Sequence, residues 1–264
     1  MHAAAVAAAL GASVIVVCPL GGRRGARVRE LAATAGIELD MITIADETRG
    51  TYTVVDDRTG ALIEVLEPPP SLSEHEAGAF AARAHAHVHA PVVISSGSLP
   101  AGLAGGFHAG IARAATGACI IDASGHELVE ALSVPGPLVT PNRAEVSHAA
   151  GTAAGELELS KLAQLVRAPS WISLGAEGSL FSPGSDEHWH LTLDPPGAVV
   201  NSVGCGDALV GGYAAGIAQG LAPIDAAALG VAAAVSKLTH LHPAAIDPEQ
   251  TRELAHAVTR RRIA

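Results

Sequence analysis

Short β-branched apolar runs alternate with alanine-rich stretches along nearly the whole chain. The apolar runs predict strands at Ser13–Val17, Val92–Ser95, Ala118–Ile121, Leu138–Val139 and Trp171–Leu174. Between them, helices are predicted at Ala26–Ala35, Ser73–Val88, Phe107–Thr116, His126–Leu132 and Ser160–Arg167. Continuous apolar strands separated by helices of this length specify an α/β fold with a mainly parallel sheet covered on both faces. In such a sheet ligands gather at the carboxyl ends of the strands.

Two regions break the alternation. Thr51–Val55 and Ala61–Leu66 read as strands joined by Asp56-Asp57-Arg58-Thr59-Gly60, a good hairpin loop. With Met41–Ile44 they are expected to form a small antiparallel sheet, a β lid over residues 41–67. Residues 1–40 and 68–264 then form the α/β core, re-entered through the stiff Pro68-Pro69-Pro70 connector. The second break is Leu180–Leu193, where strand runs flank Ser182-Pro183-Gly184-Ser185. Beyond residue 204 the pattern is helical to the end, apart from turns near Gly220 and His242-Pro243. No internal repeat is evident.

Composition narrows the picture. With 264 residues, 49% of them apolar and 16% charged, the chain is too apolar for disorder and long enough for one large core with a small appendage. Sixteen basic against 26 acidic residues leave a net charge of −10, which argues against general binding to nucleic acid or an anionic membrane. An anion must therefore be held locally, by backbone dipoles and a few placed arginines. Cys18, Cys119 and Cys205 are widely spaced and form no CxxC pair, so neither a disulfide framework nor a structural zinc site follows. No apolar run reaches the roughly 20 residues of a bilayer span, and no basic segment precedes the first one. A cytoplasmic setting fits these features best.

Asn201-Ser202-Val203-Gly204-Cys205-Gly206-Asp207, running into Ala208–Gln219, carries the strongest chemical signal. Glycines separated by one residue let the backbone turn tightly and present successive N–H groups, and the helix that follows adds its positive end. By spacing alone, Asp207 reads first as a carboxylate that stabilises a helix start. The glycine pair, which a cap does not need, tilts the reading toward an anion site. Gly211, Gly212 and Gly216 thin one side of the helix, allowing a sheet or ligand to approach closely. A dinucleotide fingerprint fails because Leu209 stands where the third glycine belongs, and no G-x-x-x-x-G-K-[ST] exists in a chain whose only lysines are Lys161 and Lys237.

Gly204-Cys205-Gly206-Asp207 resembles the GAGD signature of the ribokinase-like (PfkB) carbohydrate kinases. Ser96-Gly97-Ser98-Leu99-Pro100-Ala101-Gly102-Leu103 is similar to the GSLPPG loop of that family's phosphosugar branch, and Ile121-Asp122-Ala123-Ser124-Gly125 to its D-x-S-G segment. Thr140-Pro141-Asn142-Arg143-Ala144-Glu145 resembles PNxxE, Ser173-Leu174-Gly175-Ala176-Glu177-Gly178 resembles SLGxxG, and Glu47-Thr48-Arg49 sits where the branch has E-T-R. Each fragment is weak alone, but together they follow the family's order.

The resemblance implies a three-layer α/β/α kinase that transfers a phosphoryl group from ATP, with Mg²⁺, to a hydroxyl of a sugar or sugar phosphate. Asp207 inherits the role of general base, and the amides of Gly204, Cys205 and Gly206 that of an anion hole. Asn142, Ser173, Gly175 and Gly178 would contact ATP. Asn142 and Glu145 would organise Mg²⁺ through water. Arg49, Gly97 and Ser98 would meet the sugar, with Arg49 gripping a phosphate already on it. A homodimer through the lid is also implied.

Plainer readings stand beside these roles. Asn142 and Glu145 have capping-box spacing, Gly175 is an ordinary strand-to-turn glycine, and Arg49 fits a solvated surface. Cys205 reads as a small packing residue, although a helix start can lower a thiol pKa. His85, His87 and His89 do not share a helical face as metal ligands would, and His188 and His190 lack a third ligand. Thr140 stands where some members of the branch have Lys, which implies one phosphate contact fewer, and Thr51 where it often has Asn, which leaves substrate choice open. Relative to the family pattern, the first core strand, first lid strand and usual sugar-binding Asp are missing. Lower stability and activity than an upstream-extended version is therefore expected. The alternatives are a nucleotide-binding pseudo-kinase and a kinase for an unphosphorylated sugar or nucleoside.

Overall fold

A computed structural model of the chain describes residues 1–56, 58, 62–149, 162, 169–184 and 187–263. The elements run α1 (His2–Ala9), β1 (Ile15–Leu20), α2 (Gly22–Thr34), β2 (Glu38–Thr43), β3 (Thr51–Val55), β4 (Leu62–Leu66), α3 (Glu74–Ala86), β5 (Val92–Ser96) and α4 (Phe107–Ala114). They continue with β6 (Ala118–Asp122), α5 (Gly125–Leu132), β7 (Leu138–Val139), α6 (Arg143–Ala149), β8 (Ser170–Ser173), β9 (Ser179–Ser182) and β10 (His188–Thr192). The chain closes with α7 (Cys205–Ala218), α8 (Pro223–Leu238), α9 (Pro248–Ala257) and β11 (Thr259–Ile263).

Seven strands form the main sheet in the order β11-β10-β9-β8-β7-β6-β5. Strands β5 to β8 are mutually parallel, and β8 to β11 continue the sheet with antiparallel pairing. Successive strand residues face opposite sides, and the core divides accordingly. Ile120 and Leu138 point to one side with Trp171, Phe181, Leu209, Tyr213 and Val231. Cys119, Ile121 and Val139 point to the other, against Ala109 and Ala112 of α4 and Leu128 and Ala131 of α5. The sheet is thus the middle layer of an α/β/α sandwich, as its continuous apolar strands predict. Trp171, Phe181 and Tyr213 meet at centroid separations of 5.3–5.7 Å, and the indole N–H of Trp171 donates to Ser179 Oγ at 2.9 Å. A buried indole donor without that partner would be costly.

α7 is buried from Ala208 through Gly216. Its glycines admit helices rather than the sheet or ligand expected. A Cβ on Gly211 would lie 2.4 Å from the Ala3 carbonyl oxygen of α1. One on Gly212 would lie 2.8 Å from Gly230 Cα of α8, and one on Gly216 2.9 Å from Ala226 Cα. The helix that opens with the anion loop is therefore clamped from two sides.

Three further expectations are corrected. Met41–Thr43 belongs to β2, which pairs in parallel with β1 in a separate two-stranded sheet, leaving the lid hairpin to β3 and β4 alone. Apolar residues that alternate on β2, with Ile42 and Ile44 buried against Leu72 and Phe80, hold it to the core. The chain ends in strand β11, not helix: three arginines obscure a Thr-to-Ile strand that pairs with β10 at the sheet's edge, where charge is common. β1 also runs through Pro19, a residue tolerated in a strand when its nitrogen has no ladder bond to make. The expected helix Ser160–Arg167 lies outside the described residues except Leu162, which is buried. Among the described residues, no helix is long and apolar enough to cross a membrane.

Candidate active site

The carboxyl ends of β5, β6, β7 and β8 lie side by side at one edge of the sheet, and α7 packs against β5 and β6. Ser96 and Gly97 follow β5, Asp122 ends β6, Thr140 and Asn142 follow β7, and Ser173 ends β8. Parallel strands all deliver their last residues to the same edge, so four separate sequence fragments become neighbours.

Gly204 caps α7 with φ +85°, and a Cβ there would lie 2.3 Å from the Pro243 carbonyl oxygen. Both facts require glycine. The amides of Gly204, Gly206 and Asp207 have no hydrogen-bond partner among the described residues, whereas that of Cys205 donates to the Ser202 carbonyl at 3.3 Å. Two of the three expected anion-hole amides are thus open, and the Asp207 amide joins them. Nothing lies within 4 Å of a Cβ placed on Gly206, so the corner is not plugged. Cys205 is half-buried, and burial pushes its thiol up rather than down, in keeping with a packing role.

The Asp207 side chain is 31% exposed, with His2 Nδ1 3.5 Å from its carboxylate. Asp122 stands close by. It accepts from Ser96 Oγ at 3.0 Å and Thr140 Oγ1 at 3.2 Å. Burial first, and then the charge of Asp207, holds its carboxyl above the ordinary range. Glu145 is raised as well, by burial and then by Asp122. Asp207, Asp122 and Glu145 therefore form one electrostatically coupled row of acids.

Asn142 and Glu145 do form the capping box: the Asn142 amide donates to Glu145 Oε2 at 2.8 Å and the Glu145 amide to Asn142 Oδ1 at 2.9 Å. One oxygen of Glu145 is left for other duty. Gly175 and Gly178 bracket a 3₁₀ turn after β8 at φ +64° and +89°, and a Cβ on Gly178 would strike the Leu191 carbonyl. In Glu47-Thr48-Arg49 the first two residues are structural. Glu47 accepts from the Arg23 and Arg24 amides at the start of α2, and Thr48 Oγ1 accepts from Gly21 N–H. Arg49 is half-buried and has no hydrogen bond or ion pair among the described residues. Ser98 is exposed on the loop behind Gly97, whose amide donates to the Asp122 carbonyl at 3.0 Å. His85, His87 and His89 go their separate ways, to the Ala81 carbonyl, Asp40 and Thr116.

Asp122 is the site residue that spacing did not single out. The available signal was a carboxylate ending an otherwise apolar strand, a place where burial makes an acid costly unless it serves a ligand.

Unpartnered amides, an accessible carboxylate and flanking acids at one edge of an α/β sheet make a site suited to a phosphate. Residues 3–250 match the pattern of the pfkB family carbohydrate kinases. The chain belongs to that family. It is 30% identical over 253 residues to the ATP-dependent 6-phosphofructokinase isozyme 2 of Mycobacterium tuberculosis strain H37Rv, covering 90% of this chain and 72% of that protein. To the 1-phosphofructokinase of Bacillus subtilis it is 27% identical over 220 residues, covering 80% and 71%. The crystal structure of Escherichia coli phosphofructokinase-2 in complex with fructose-6-phosphate superposes with a TM-score of 0.85 at 25% identity, covering 97% of this chain and 85% of that one.

Proposed function

We propose that the chain transfers the γ-phosphoryl group of ATP to a hydroxyl of a phosphorylated hexose, with Asp207 as general base. The observation that carries this reading is the open set of amides at Gly204, Gly206 and Asp207 beside a half-exposed carboxylate. Phosphoryl transfer passes through a loose transition state, so positioning and charge neutralisation outweigh the strength of the base. The amides are fixed before the reaction and point where negative charge grows on the transferring group. Asp207, in the first turn of the same helix, then receives the alcohol proton as the oxygen attacks.

The coupled acids fit Mg²⁺. Asp122 and Glu145 offer hard oxygen donors whose pKa values are raised by burial and then by a neighbouring acid, Asp207 for the first and Asp122 for the second, a cost that a divalent cation relieves. Glu145 and Asn142 would hold the ion, in part through water, and the bound ion would neutralise phosphate charge. Ser173, Gly175 and Gly178 flank the nucleotide side. Gly97 and Ser98 flank the sugar side, and Arg49, with its guanidinium uncommitted, meets the sugar's phosphate bidentately. The relatives named as phosphofructokinases support this substrate class.

β3 and β4 act as the lid. The Glu67 carboxylate at its exit accepts from both Nη atoms of Arg24, at 2.6 and 3.1 Å, and from the Gly50 amide at 2.8 Å, which anchors the hairpin's base. Tyr52, Val54, Ile63 and Val65 form an exposed apolar face from two cross-strand pairs, which supports a homodimer through the lid.

A substrate panel with ATP, run on the wild type and Asp207→Asn, tests the reading. Wild-type turnover of a hexose phosphate and a loss of about 10²–10⁴ in the variant are expected. Undiminished turnover in Asp207→Asn would remove the assigned base. Nucleotide binding with no turnover on any sugar would favour the binding-only alternative.

A further inference from the structure

Lys237 lies in the last turn of α8 and is fully buried, yet no carboxylate pairs with it among the described residues. Its ammonium donates to the main-chain carbonyls of Asn201 at 2.7 Å and His240 at 3.0 Å. A dehydrated ammonium is costly, and an apolar side chain of similar length fills the same volume, so packing alone does not account for it. The negative end of α8 offsets part of that cost.

The carbonyls it binds belong to the two segments that build the phosphate corner. Asn201 opens the glycine loop: its Oδ1 accepts from the Val203 amide at 2.9 Å, and its Nδ2 donates to the Leu241 carbonyl at 2.7 Å. On the other segment, the Pro243 carbonyl packs against Gly204. Lys237 thus fastens the two segments to each other through their main-chain carbonyls.

We propose that Lys237 is a positioning residue for phosphoryl transfer, its buried ammonium locking the Asn201–Gly204 and His240–Pro243 segments together and so holding the glycine loop in the conformation that leaves its amides open. The proposal rests on the kinase reading above.

The test compares the full-length wild type with Lys237→Met, which keeps length and removes charge. A folded variant with KM for the sugar unchanged and kcat lowered on the order of 10²-fold is expected, the effect of a misplaced transition-state contact. In Lys237→Ala, added methylammonium should restore part of kcat, a response that lost packing alone does not give. Wild-type kcat in folded Lys237→Met overturns the proposal, as does a loss that cooling fully reverses. An inactive wild type sinks the kinase reading instead.

Should the variants not fold, the wild type decides by NMR of lysine Cε and Nζ, where one of only two signals must be Lys237. A protonated ammonium whose signal moves with ATP but not with adenosine is expected. A neutral amine, or equal responses to both, overturns the proposal.

Discussion

Gly206→Ala separates a phosphate contact from a structural glycine more cleanly than any other change in the loop. Gly206 lies in the first turn of α7, its φ is not positive, and an added Cβ would find no heavy atom within 4 Å. Replacing a strain-free glycine stabilises a protein by about 0.4–1 kcal/mol through the unfolded chain. For a domain of this size that is a rise of roughly 1–4 °C in Tm. The methyl would stand in the space that the proposed γ-phosphoryl must enter to reach the amides. Ligand-free protein should therefore melt higher while kcat/KM for ATP falls at least about tenfold, a cost of roughly 1.4 kcal/mol in transition-state binding. Gly204→Ala is the control. Its left-handed φ costs about 1–2 kcal/mol, and its Cβ would lie 2.3 Å from the Pro243 oxygen, so stability and activity should fall together. Differential scanning fluorimetry with steady-state kinetics reads both quantities. A Gly206→Ala protein that melts higher and keeps full activity would refute the placement of the phosphate at these amides.

The acid row and the open guanidinium give further expectations. Burial and Asp207 raise the Asp122 carboxyl, so the folded chain holds that proton more tightly than the unfolded chain. Its contribution to stability is complete below the ordinary carboxylate pKa of about 4 and is lost as pH rises through the folded value. Asp122→Asn should remove that loss, giving a ligand-free Tm that falls less toward neutral pH than the wild type's; parallel Tm–pH curves would contradict it. Arg49→Ala should raise KM roughly 10–100-fold for phosphorylated sugars and leave unphosphorylated ones unaffected, the size of a charge-assisted bidentate contact. Equal changes for both would show that Arg49 does not meet the phosphate. Ile63→Lys on the apolar lid face should convert a sedimenting dimer to monomer, and an unchanged sedimentation coefficient would exclude that face as the contact.

The layers of this fold were legible because burial leaves a period in the sequence. Ile120 faces one helical layer while Cys119 and Ile121 face the other, and an uninterrupted apolar run is how a doubly covered strand must read. What the pattern hid was pairing. Met41–Thr43 is strand-like beside either β1 or the lid, and only its packing on Leu72 and Phe80 decides the matter. β11 was concealed for a different reason: at the sheet edge its arginines face solvent, so no apolar alternation marks it. The glycines of α7 announced a close approach without naming what approaches, since a carbonyl oxygen of α1 and a Cα of α8 make the same demand as a ligand. Local motifs fared likewise at the site. Asn142 and Glu145 satisfy a capping box, the plainer of the two readings that their spacing allowed.

The charge balance explains why the site is built from backbone. A chain carrying −10 repels a polyphosphate at long range, and the site itself adds Asp207, Asp122 and Glu145 at short range. Side-chain cations at the mouth would pair with those acids and quench them. Open amides at a helix start attract the phosphate without neutralising a neighbour, because they carry no net charge and cannot rotate toward a carboxylate. Two cations stand free of the acid row: Lys237 is sealed on carbonyl partners, and Arg49 has no carboxylate in contact among the described residues. The acids stay ionisable and repel one another, which raises the affinity of the corner for a divalent cation arriving with the nucleotide. Binding of ATP alone should accordingly be weak and should strengthen sharply when Mg²⁺ accompanies it.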